Sequence, residues 1–173
     1  MAVDQAQLLS DGFGRIREVV GATLDGLPDD ALTFRIDPDA NTVAWLIWHL
    51  TRVQDDHVAD AAGTEQVWTI DGWADRFALP FDRDETGFGQ SSREVGLVRA
   101  SADLLAGYHD AVCERTLAYV AGLDAGALDR VVDESWDPPV TLGVRLVSVL
   151  SDDLQHAGQA AFVAGAWSRS SGR

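Results

Sequence analysis

The chain has 173 residues, 46% of them hydrophobic, enough for one globular domain with its own core and too apolar for global disorder. Its 13 basic and 28 acidic residues give a formal charge of −15, which argues against a nucleic-acid backbone or an anionic membrane surface as partner. The single cysteine, Cys113, excludes an intrachain disulfide and a zinc site built from four cysteines. The start "MAVDQAQLLSDGFGRIREVV" lacks the basic-then-apolar pattern of a secretory signal, and no apolar run reaches the ~18 residues of a membrane span. The expected compartment is the cytoplasm.

Four long helical patterns follow one another. The first runs from Asp4 to Leu24, with Leu8, Leu9, Phe13, Ile16, Val19, Val20 and Leu24 recurring at three- and four-residue spacing. The stretch "DALTFRIDPDAN" reads as a turn with a short extended piece, because Pro38 forbids a regular helix there. Asn41 is the expected N-cap of a second helix carrying Val43, Leu46, Ile47, Leu50, Val53 and His57 and ending near Gly63. From Thr64 to Gln90, with Trp68, Trp73, Pro80, Gly87 and Gly89, the chain reads as an irregular connection holding one helical turn at most. Connections of that length in compact domains are often functional. Ser91 or Ser92, with Glu94 closing a capping box, opens a third helix that continues to Gly122. After "LDRVVDESWDPPV", read as a minor hairpin or edge, Thr141 opens a last helix running to Trp167. The expected fold is all-α, a four-helix bundle filling residues 1–167 as one domain, with 168–173 a frayed tail.

Two features carry chemistry. His49 stands inside the apolar run "TVAWLIWHL", and the last helix contains "LSDDLQHAGQAAF", in which Asp152 and His156 are four residues apart. That spacing puts both side chains on one helix face, one turn apart, with tips able to converge on a single ion. Alone, a histidine on an apolar face is ordinarily a core residue bonded to a neighbour, and an Asp–His pair ordinarily a solvated polar pair. Together, His49, Asp152 and His156 make a facial set of N and O ligands suited to Zn²⁺ first, and also to Ni²⁺, Fe²⁺ or Mn²⁺, with positions left open for a ligand. Asp153 points about 100° away around the helix and is the poorer ligand. His57 reads as rim or surface, His109 as a solvent or helix-contact residue, and Cys113 as a small buried thiol rather than a nucleophile paired with His109. No nucleophile elbow or phosphate-cradling glycine loop is present.

The segments "TVAWLIWHLTRVQDDH" and "LSDDLQHAGQAAFVAG" resemble the DinB-like superfamily, and within it the actinobacterial branch of the mycothiol S-transferases and the N-terminal domain of mycothiol-dependent maleylpyruvate isomerases. The resemblance implies a four-helix bundle holding a divalent metal, with ligands that fall on His49, Asp152 and His156. Relatives carry histidine or glutamate where this chain has Asp152, so the ligand here is shorter. The resemblance further implies mycothiol as thiol cosubstrate and a homodimer. The isomerases have a second domain, and this chain ends after its fourth helix, so transfer of the thiol to a small electrophile is the expectation. Trp45, Arg52, Asp56 and Gln159, beside the ligands, are the expected thiol- and substrate-binding residues; Trp68, Trp73 and Trp136 fall in loops that could form the pocket mouth, and no motif assigns them. Two other functions fit the same ligand set: a hydrolase using activated water, and a non-catalytic, metal-stabilised stress or interaction module.

Overall fold

The computed structural model describes residues 4–124 and 126–171. The elements in chain order are α1 (Gln5–Leu24), α2 (Asp29–Leu32), α3 (Val43–Ala62), α4 (Val67–Ile70), α5 (Trp73–Phe77), α6 (Ser92–Val95) and α7 (Ala102–Ala121), then a 3₁₀ turn (Ala127–Asp129), β1 (Val131–Asp133), β2 (Val140–Thr141) and α8 (Leu142–Ser171). The long helices α1, α3, α7 and α8 form the expected four-helix bundle. Around it α1 packs on α7, α7 on α3, α3 on α8 and α8 on α1. Consecutive long helices α1 and α3 therefore lie on a diagonal, which the long excursion between residues 24 and 43 makes possible.

Local chemistry sets the ends. Asp4 accepts from the Gln7 backbone N–H at 2.8 Å while Gln7 reaches back to the Asp4 backbone, a reciprocal box that starts α1. Thr42 rather than Asn41 caps α3, its hydroxyl accepting from the Trp45 N–H at 3.1 Å, and Gly63 ends that helix in the left-handed region at φ 66°. The Ser91–Glu94 box also forms, but it closes only the single turn α6. The expected continuous third helix is broken: Gly96 ends the turn, and Ser101 starts α7 afresh by accepting from Leu104 at 3.2 Å. Glycine weakens a helix interior, and a serine five residues on supplies a competing start. At the other end, α8 runs helical past Trp167 to Ser171; residues 172–173 lie outside the described residues.

Helix α3 is buried on nearly all sides, from Val43 through Arg52 without interruption. A helix apolar all round needs cover all round. The neighbouring bundle helices supply part of it. The Thr64–Gln90 connection supplies more, for it holds two short helices, not one turn. Trp68 and Trp73, which the sequence left unassigned, are core residues packed on Tyr108 with ring centroids 5.1 and 5.6 Å apart; Trp136 is exposed. Buried Asp55 on α3 fastens this cover, accepting from the Val67 and Trp68 N–H groups at 2.9 and 2.8 Å and from the Tyr108 hydroxyl at 2.8 Å. The β1–β2 pair is the small antiparallel hairpin expected, with Val131 opposite Thr141.

The inward stripe of α8 is Leu142, Leu146, Val149, Asp153, Ala157, Ala160 and Ala164, a repeat of threes and fours with one acidic member. Val147 and Leu154, off that stripe, are exposed. Asp153 is fully buried and both its oxygens lack a hydrogen-bond partner. Burial, with the Asp152 charge adding to it, pushes its pKa well above the carboxylate range, which favours the protonated, uncharged acid. An acid whose folded pKa is raised costs stability as pH climbs from the unfolded pKa toward the folded one, at about 1.4 kcal/mol per pH unit. Replacing Asp153→Asn therefore leaves stability little changed near pH ~4, about the unfolded pKa, and increases it at pH ~6. Urea denaturation at both pH values measures this, and equal gains at both would contradict it.

Candidate metal centre

The centre forms where α3 and α8 run side by side. His49 enters from α3, and Asp152 and His156 from successive turns of α8. One ligand atom from each lies within 4.8 Å of the other two. Ligands about 2.1 Å from a tetrahedral cation are roughly 3.4 Å apart, so small side-chain adjustments bring the three onto one ion. Asp152 Oδ1 already stands 3.5 Å from His156 Nε2, and the two imidazoles meet edge to face with centroids 4.9 Å apart.

The protonation pattern of both rings suits metal binding. His49 Nδ1 lies 2.6 Å from the Thr86 carbonyl oxygen, which can only accept, so Nδ1 carries the proton and Nε2 keeps its lone pair. His156 Nδ1 likewise donates to Gln159 Oε1 at 3.1 Å, leaving Nε2 toward Asp152. Such partners on the far nitrogen orient ligating histidines and raise their basicity. The second carboxylate oxygen, Asp152 Oδ2, is buried with no partner, an unsatisfied charge that a cation would meet. The donor set therefore fits a divalent ion.

The residues around the ligands sort plainly. Trp45 stacks on His49, centroids 4.5 Å apart and planes within 14°, and its Nε1 donates to Gln90 Oε1 at 2.8 Å. Gln159 orients His156, and Asp56 lines the adjoining cleft while accepting from Gln66 Nε2 at 2.8 Å. Arg52 is directed elsewhere. It is fully buried, donates to the Glu85 carbonyl and Gln66, approaches Asp55 at 3.7 Å and lies under the Trp68 ring. His109 is buried, not solvent-exposed, with Nδ1 3.2 Å from the Thr51 hydroxyl, and burial depresses its pKa to about 4. Cys113 is fully buried and burial raises its thiol to about 11, as expected of an inert thiol.

Sequence reasoning flagged the Thr64–Gln90 connection as a whole but missed that its end, Thr86–Gln90, touches both His49 and Trp45. Gly87 is its hinge: at φ 94° and with a Cβ that would fall 2.9 Å from His49 Nδ1 and 2.9 Å from Trp48, only glycine lets the backbone come this close. The two glycines of that loop were the available signal. A cleft of about 410 Å³ opens beside the ligands, bounded by His49, Asp152, Val53, His57, Thr86 and Phe88.

Burial opposes the charged form of His156, but the bonds to Asp152 and Gln159 outweigh it and hold its pKa above the usual 6.5. His49 moves the other way, chiefly through burial. Asp152 is held below its ordinary value despite burial, because His156 bonds to it. In the metal-free chain His156 thus keeps a proton on Nε2 to a higher pH, and a cation must displace it.

Among the described residues no helix is long and apolar enough to cross a membrane. A family model described as mycothiol-S-transferase matches residues 8–166. A crystal structure described as that of the conserved protein of a locus from Enterococcus faecalis has a TM-score of 0.87 to this chain at 31% identity, covering 94% of this chain and 96% of that one. No curated protein matches.

Replacing His49, Asp152 or His156 singly by alanine should lower Zn²⁺ affinity at least ~100-fold while the far-ultraviolet helical signal is kept. Gln159→Leu and Gly87→Ala should cost about 10- to 100-fold by releasing the ring partners. Competition titration with a chromophoric chelator measures all five, and unchanged affinity in the three ligand variants contradicts the site. Affinity of the unmodified chain should fall as pH drops through the His156 pKa, with close to one proton released per ion bound below it. Calorimetry in buffers of differing ionisation enthalpy counts that proton.

Proposed function

Because the chain belongs to the mycothiol S-transferase family, we propose that it is a divalent-metal-dependent transferase that activates a low-molecular-weight thiol, mycothiol, and joins the whole thiol through its sulfur to a small electrophile, with loss of the thiol proton and of any leaving group. The convergence of His49, Asp152 and His156 beside an open cleft carries this reading. Zinc is the first choice for two imidazoles and one carboxylate with a position left free. A divalent cation held there lowers the pKa of a bound thiol, so that a thiolate is available near pH 7.

The chain's own residues do the rest. Thr86 and Gln159 fix the proton on the outer nitrogen of each ligand imidazole, so both lone pairs face inward. Trp45, stacked on His49, closes one side of that ring against water. Asp152 brings the negative charge that offsets part of the cation's. No side-chain nucleophile is required, and the buried Cys113 offers none. The cytoplasm is where a reduced thiol cosubstrate is available. A homodimer is part of the proposal, with exposed Leu154, Phe162 and Ile36 as the apolar residues available to an interface; light scattering at micromolar concentration tests it.

The deciding assay follows consumption of chlorodinitrobenzene by zinc-loaded chain with and without mycothiol. Thiol-dependent turnover that disappears in His156→Ala is the expected result. Thiol-independent consumption of the electrophile would make the chain a hydrolase instead. Strong thermal stabilisation by zinc with no turnover would leave it a non-catalytic module.

A further inference from the structure

The metal cleft has a second histidine in its wall. His57 stands two turns beyond His49 on α3, and Arg145 two turns before Asp152 on α8. The helices are antiparallel here, so the His57–Arg145 pair forms a second level of the cleft roughly 11 Å along the helix axes from the ligands. Arg145 Nη1 lies 3.1 Å from His57 Nδ1. A guanidinium has donors only, so the contact is a hydrogen bond only if Nδ1 is unprotonated and accepts. Arg145 is held in place by Asp133 of β1, whose Oδ2 accepts from Nη2 at 2.9 Å. The neutral ring must then carry its proton on Nε2, which has no protein partner among the described residues. Its tautomer is the opposite of that of the two ligand imidazoles.

We propose that His57 is a fixed hydrogen-bond donor of the cleft, set by the Asp133–Arg145 relay, which binds an acceptor oxygen of the thiol or of the electrophile while the sulfur chemistry proceeds at the other level. Its lone pair is occupied by Arg145, so it is not a base; Arg145 is a positioning residue that acts through it. A carbonyl, carboxylate or nitro oxygen satisfies the donor, whereas a ligand group that can only donate is rejected, leaving the Nε2–H unpaired. Burial, followed by the Arg145 charge, lowers the pKa of His57 against the opposing effect of Asp56, Asp60 and Asp152, in keeping with a neutral ring.

This inference rests on the transferase reading for its ligands but not for its tautomer, and the test has two arms. Long-range proton–nitrogen NMR of the metal-free full chain, which has only 4 histidines to assign, should show His57 with Nε2–H and an unprotonated, accepting Nδ1. Arg145→Met should abolish that fixed form and Arg145→Lys should keep it. A proton on Nδ1 in the unmodified chain overturns the proposal whether or not the chain turns over. In the second arm, zinc-loaded His57→Leu and His57→Gln are assayed with mycothiol and chlorodinitrobenzene. Leucine should raise one KM about tenfold with kcat within about threefold, glutamine should restore it, and zinc affinity should not change. A raised KM for mycothiol assigns the oxygen to the thiol, and for chlorodinitrobenzene to the electrophile. Unchanged KM values for both, or a lost limb in the pH profile of kcat, overturn it. If the unmodified chain shows no thiol-dependent turnover, the transferase reading has failed, and chemical-shift change at His57 Nε2–H on adding mycothiol, absent in His57→Leu, decides the donor role instead.

Discussion

A carbonyl oxygen from an otherwise irregular loop, Thr86, meets a buried ring nitrogen of His49 at 2.6 Å, and much of the site's order passes through that contact. It fixes which nitrogen of His49 faces α8. It requires the backbone to come so near the ring that the next residue is glycine. It ties the Thr64–Gln90 connection, whose aromatic residues cover α3, to the same helix that carries the ligand. Covering the core and orienting a donor are here linked, since the connection that helps to bury α3 also bonds to His49.

The phase of α8 is the matching constraint on the opposite side. Its inward stripe passes through Asp153, which turns Asp152 and His156 by one residue toward the flank that α3 covers. A helix that buried 152 instead would sink that carboxylate in the core and aim its partner imidazole away. The same antiparallel pairing that joins His49 to Asp152 also joins His57 to Arg145. One helix pair thus provides both a cluster of inward lone pairs and, further along, an imidazole turned the other way.

Much of this was legible beforehand. Four helices, the convergence of His49, Asp152 and His156, and the buried thiol follow from apolar periodicity, an i,i+4 pair and the lack of any activating neighbour for Cys113. What was not legible has physical causes. Ser91–Glu94 is a genuine start signal, but nothing local says how long the helix it opens will last, and Gly96 with Ser101 outvoted it. Arg52 shares a helix face with His49, yet its long side chain found Asp55 on its own helix and Glu85 and Gln66 in a loop whose path no period predicts. The role of Thr86 was invisible because it acts through its backbone, which any residue possesses. Asp153 was judged by the direction it does not face; that it occupies a core position follows from the spacing of Leu142, Leu146, Val149 and Ala157, a pattern that was there to be counted.

The depth of Cys113 has a consequence for a protein that would spend its life among electrophiles. A sulfhydryl with a pKa of about 11 is ionised to roughly one part in a few thousand at pH ~7.5, and none of its surface is open to a reagent. The chain's sole sulfhydryl is thereby shielded from alkylation and from mixed-disulfide capture.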